Sequence, residues 1–134
     1  EFRHDHIGYN YRMPNINAAL GCAQLENLDR YVADKRETAA RYVEFFKGKE
    51  DITFFTEPAD CKSNYWLNAV VLKDKAAQLD FLEYTNDHGV MTRPVWELMN
   101  RLPMFEHCET DGLENTEWLA DRVVNIPSSV RLDK

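Results

Sequence analysis

The chain has 134 residues, and 23 acidic against 16 basic side chains leave a formal charge of −7. That length is one domain's worth, and 44% hydrophobic with 29% charged residues excludes wholesale disorder. The basic residues are scattered and outnumbered, which argues against a nucleic-acid partner, and no run reaches the roughly 18 apolar residues of a membrane span.

Residues 1–14 read as an extended arm carrying Gly8, Pro14 and the aromatic side chains Phe2, Tyr9 and Tyr11. Residues 15–134 read as one α+β unit. Asn15 follows Pro14 as a candidate helix cap. Apolar side chains then recur at Ile16, Leu20, Ala23, Leu28, Val32, Ala39, Val43 and Phe46. Their spacing predicts an apolar helical stripe, with a break near Leu28 where Asp29 could cap a second helix. The charges over residues 31–47 (Asp34, Lys35, Arg36, Glu37, Arg41, Glu44) predict a solvated outer face, and Gly48 a stop.

Residues 52–56 predict a short strand. Residues 65–72, rich in aromatic and branched side chains, predict the strongest one, with Tyr65 and Trp66 packed in the core. Asp74 predicts the cap of a helix whose stripe is Ala76, Leu79, Leu82 and Tyr84, ending before Gly89. Residues 90–95 predict a strand that Pro94 ends or places at an edge. Residues 96–102 predict a short helix stopped by Pro103. Residues 115–123 predict another, with Trp118, Leu119 and Val123 inward, and residues 124–127 a last strand. The architecture expected is long N-terminal helices packed on a small, partly antiparallel sheet with intervening helices.

Cys22, Cys61 and Cys108 form neither a disulfide framework nor a zinc pattern. Reduced thiols in a cytoplasmic protein are the simplest reading, with Cys22 in the core and the other two in polar loops. The charged opening Glu1-Phe2-Arg3-His4-Asp5-His6 is no signal peptide. A start without Met suggests a processed product or a piece of something longer.

The arm admits two readings, an ordered lead-in or a ligand-presenting segment whose Asn10 and Arg12 suit phosphate oxygens. His4-x-His6 lacks a third partner for a metal. Arg93 reads equally as a strand-end ligand group or as a surface arginine paired with a carboxylate. None of the lysines (35, 47, 49, 62, 73, 75 and 134) reads as desolvated enough for Schiff-base work. No phosphate-binding loop, dinucleotide fingerprint, nucleophile elbow or metalloprotease motif is present.

Gly8-Tyr9-Asn10-Tyr11-Arg12-Met13, followed by Ala18-Ala19-Leu20-Gly21-Cys22-Ala23-Gln24-Leu25, resembles the G-x-N-Y-R-M-x-x-x-x-A-A-L-G-x-A-Q-L block of DegT-type sugar aminotransferases. The helix over residues 29–42 fits too. Thr92-Arg93-Pro94-Val95-Trp96-Glu97-Leu98-Met99 and Val124-Asn125-Ile126-Pro127-Ser128-Ser129 resemble the branch that makes 4-amino-4,6-dideoxy sugars of the bacillosamine and legionaminic-acid type. The resemblance implies the C-terminal small domain of a pyridoxal-phosphate enzyme of the aspartate-aminotransferase fold. Its substrates would be a 4-keto-6-deoxy nucleotide sugar and glutamate as amino donor, and its active form a homodimer or larger. It implies that Asn10 and Arg12 bind cofactor, Asn10 reaching the phosphate across the dimer interface. Tyr11, Arg93 and Trp96 would bind substrate. The Schiff-base lysine would lie upstream, so the chain holds no catalytic residue and alone is expected to be inactive. A chain severed from that interface would expose Leu20, Leu25 and Trp96 and self-associate or swap its arm. The alternative is a non-catalytic ligand- or partner-binding domain from a family member that has lost the lysine.

Overall fold

A computed structural model describes residues 3–131; Phe2, read above as part of the arm, and Lys134, read with the other lysines as not desolvated, lie outside them. Residues 3–14 form neither helix nor strand and are exposed. At Pro14 the ring-fixed φ of −63° turns the chain into α1 (Asn15–Leu25), so Asn15 is the first helical residue rather than the cap. The expected break falls at Glu26–Asn27, where the Asn27 amide donates back to the Ala23 carbonyl at 3.2 Å. Asn27 then takes the cap position of α2 (Leu28–Phe46), and Asp29 sits in its first turn, where a carboxylate suits the helix dipole.

Strand β1 (Ile52–Phe54) pairs antiparallel with β2 (Asn68–Leu72), Ile52 opposite Leu72. A helix, α3 (Lys75–Asp87), follows. Asp74 caps it as expected, its Oδ1 accepting from the Ala77 N–H at 2.8 Å. β3 is a two-residue strand (Arg93–Pro94), α4 spans Glu114–Ala120, and β4 (Val123–Ile126) closes the set. The spatial order is β1-β2-β4-β3, and every pair is antiparallel. The fold is therefore α+β, with the sheet antiparallel throughout rather than in part. Proline can donate no ladder hydrogen bond, and Pro94 accordingly lies on an edge strand.

One sheet face carries Phe54, Val70, Leu72, Val124 and Ile126 into the core, where Ala39 of α2 meets them and Tyr42, Phe46, Ala77, Phe81 and Leu82 pack around. Val70 and Val124 are completely buried; burying a side chain of that size stabilises by about 1.5–3 kcal/mol. α3 presents Gln78, not Leu79, to the sheet. Gln78 is fully buried, and its Nε2 donates to the Ala120 and Val123 carbonyls at 2.9 and 2.8 Å.

Several expectations fail on the direction of a face. α1 buries nothing: Ile16, Leu20 and Cys22 are exposed. Leu28 and Val43 of α2, and Ala76, Leu79 and Tyr84 of α3, also face solvent. Periodicity locates an apolar stripe but not what covers it, and among the described residues α2 and α3 supply the helical side of the core. Conversely Asp34, placed on the solvated face, is 8% exposed. Arg131 holds it with three bonds, from its N–H to Oδ2 at 3.0 Å and from Nε and Nη2 to Oδ1 at 3.0 and 2.6 Å.

The helix expected over residues 96–102 shrinks to one 3-10 turn (Met99–Arg101). Pro94 and Pro103 leave too little chain to repay helix nucleation. The residue before a proline is also driven extended, and Leu102 has φ −81°, ψ 136°. Trp118 and Leu119 point outward, the Trp118 ring lying under the Arg122 guanidinium at 4.5 Å.

Candidate functional site

The segment before α1 presents Tyr9, Asn10, Tyr11 and Arg12 to solvent, with Tyr11 89% exposed. Asn10 and Arg12 enter no hydrogen bond or ion pair among the described residues, so an amide and a guanidinium stand ready for an outside anion. At the front of the arm, His6 Nδ1 lies 2.9 Å from Asp5 Oδ1, and among the described residues no group of three or more His, Cys, Asp and Glu could hold a metal.

A second feature gathers at the far edge of the sheet. Arg93 sits on β3 opposite Asn125, with its Nη2 3.4 Å from Met91 Sδ. The Asn125 amide reaches toward the Pro94 carbonyl at 3.4 Å. Just beyond, the Trp96 ring stacks on Trp66, centroids 6.5 Å apart and planes 25° from parallel. Sequence reading placed Trp66 in the core; it is 65% exposed. The structure thus places Trp96 against Trp66, which the apolar run on its C-terminal side disguised, and Arg93 on the neighbouring edge strand.

The turn before β2 explains why Trp66 points out. Tyr65 has φ 48°, the left-handed region that costs a bulky residue about 1–3 kcal/mol. The Asn64 side chain accepts from the Trp66 N–H at 2.9 Å, an Asx turn. The predicted strand therefore starts at Asn68, three residues late. Interactions on both sides hold the corner. The Tyr65 ring lies 6.3 Å from Phe54. Glu57 takes a bidentate grip on Arg36, Nη2 to Oε1 at 2.7 Å and Nη1 to Oε2 at 3.0 Å, and accepts from the Ser63 N–H.

That bonding, the Arg36 guanidinium first and the Ser63 amide second, lowers the Glu57 pKa from 4.5 to about 2. A depressed carboxyl stabilises the fold above its unfolded pKa and loses that contribution as pH falls through the folded value. Wild type should therefore melt above Glu57→Gln at neutral pH, and the gap should close between about pH 4.5 and 2. Thermal melts across that range check it; a constant gap would refute the ionic role.

Lys35 departs from its sequence reading. It is half-buried, its Nζ donates to the Trp66 carbonyl at 3.2 Å and to the Ser128 carbonyl at 2.5 Å, and burial lowers its pKa against the pull of Asp34. It also lines a shallow groove with Gln24, Tyr31, Asn64 and Trp66. No sequence signal marked it, because a lysine in a charged helix looks the same whether it meets water or carbonyls.

The DegT/DnrJ/EryC1/StrS aminotransferase family model matches residues 1–134. The chain belongs to this family. It is 32% identical over 131 residues to EpsN of Bacillus subtilis (strain 168), assigned as a pyridoxal phosphate-dependent aminotransferase, covering 95% of this chain and 34% of that protein. It is 32% identical over 130 residues to the GDP-perosamine synthase of Escherichia coli O157:H7, covering 96% and 34%. Among solved structures, the fold matches PseC of Helicobacter pylori, an aminotransferase involved in the biosynthesis of pseudoaminic acid. The TM-score is 0.80 at 21% identity, over 96% of this chain and 35% of that one. The chain therefore spans about a third of the length of these relatives.

Proposed function

We propose that this chain is the C-terminal part of a pyridoxal-phosphate aminotransferase that aminates a 4-keto-6-deoxy nucleotide sugar, with glutamate as donor. The observation that carries the reading is the family match over the whole chain. The open donors of the arm fit the cofactor: an amide and a guanidinium without partners of their own suit a phosphate. Asn10 and Arg12 would hold that phosphate, in a site completed by a second subunit of a homodimer or larger assembly. Bound pyridoxal phosphate supplies the electron sink for amino-group transfer. Arg93 would pair with the diphosphate of the sugar nucleotide, Trp96 would stack against it, and Tyr11 would line the pocket. These residues bind and orient. The proton-moving lysine would belong to the upstream part of the protein, and this chain alone would be inactive.

Borohydride reduction with pyridoxal phosphate, followed by peptide mapping of the intact protein, tests the reading. The expected adduct lies on a lysine outside these 134 residues. An adduct on any lysine within them would overturn the assignment of roles. No adduct at all would favour a binding protein without the catalytic lysine. In the same intact protein, Asn10→Ala should weaken cofactor retention roughly tenfold, the worth of one hydrogen bond to a charged group. The melting temperature of the cofactor-free form should stay unchanged, because Asn10 supports nothing within the fold. Dialysis followed by cofactor absorbance measures the first effect, and unchanged retention would remove Asn10 from the site.

A further inference from the structure

Trp66 and Trp96 come from distant segments, yet their rings are stacked while both are more than half exposed. Two indoles in water keep one pose only when the backbones beneath them are fixed. On one side, the Arg93–Pro94 strand is laddered to β4 just before Trp96. On the other, Trp66 precedes its strand and follows a left-handed tyrosine. Besides the Asn64 turn and the Glu57 bonds to Arg36 and Ser63, the Lys35 ammonium holds it directly, through the Trp66 carbonyl. The same ammonium binds the Ser128 carbonyl. Ser128 Oγ accepts from the Asn68 N–H and donates to the Ile126 carbonyl, each at 2.7 Å. One side chain of α2 thereby ties the turn before β2 to the segment after β4.

We propose that Lys35 is a positioning residue for the nucleotide-sugar site: its two carbonyl bonds fix the Trp66 indole, and the Trp66 indole sets the face that Trp96 offers to substrate. This rests on the reading of Arg93 and Trp96 as substrate contacts. Lysine suits the task, since a tetrahedral ammonium can serve two carbonyls from different segments where a planar guanidinium imposes a fork.

The test uses the intact protein and two readouts. Stacked indoles give an exciton couplet in circular dichroism, and the difference between wild type and Trp96→Phe isolates the contribution of this pair. Lys35→Met should lose most of that couplet. It should also raise KM for the nucleotide sugar roughly tenfold at unchanged kcat and unchanged cofactor content, the signature of lost preorganisation in binding. If Lys35→Met fails to fold, Lys35→Ala, which likewise removes both donors, carries the same comparison. A couplet that survives in the folded variant would overturn the proposal. A couplet lost with KM unchanged would support the clamp and overturn instead the reading of Trp96 as a substrate contact.

Discussion

Gln78→Leu is expected to lower the unfolding free energy by about 3 kcal/mol, although the two side chains are close in volume. Among the described residues Gln78 is the largest completely buried side chain. Its amide serves the Ala120 and Val123 carbonyls, which bracket the turn from α4 into β4, and its Oε1 accepts from Lys75 Nζ at 2.7 Å. Leucine preserves the packing and removes the donor from two part-buried acceptors, each costing about 1–3 kcal/mol when left unpaired. The result should be a lower urea midpoint at unchanged slope, since the surface exposed on unfolding does not change. A loss below about 1 kcal/mol would mean that water reaches both carbonyls.

Arg93→Met should act in the opposite sense, on binding and not on the fold. Arg93 is exposed on a two-residue edge strand, and its main-chain pairing with Asn125 survives the substitution. Exposed replacements of this kind usually change stability by less than about 0.5 kcal/mol. A hydrogen bond to a charged group contributes about 1.5–3 kcal/mol, so losing the guanidinium should raise KM for the nucleotide sugar roughly 10- to 100-fold, with kcat little altered. Arg93→Lys should recover part of this, because a point charge replaces a bidentate fork. Steady-state kinetics of the intact protein decide it. Equal KM values for wild type and Arg93→Met would place the diphosphate elsewhere.

The sequence by itself determined the order of elements, because the signals for that order are local. Pro14, Asp74, Gly89 and Pro94 act on their own backbone, and each sits where a helix or strand begins or ends. The exposed arm carrying Asn10 and Arg12 was also legible, as a polar run ahead of the first helix. Tertiary structure alone decided what each face meets. α1 is apolar by period yet bare, and α3 turns a glutamine inward where the count of apolar residues favoured Leu79. Asp34, Lys35 and Arg36 look alike in a charged helix. One is buried under Arg131, one grips two carbonyls, and one pairs with Glu57. Trp66 left the core because Tyr65 adopts a positive φ. For Asp34, Lys35, Arg36 and Gln78 the partner comes from a distant part of the chain, and the side chain's environment is fixed by that partner and not by its neighbours in sequence.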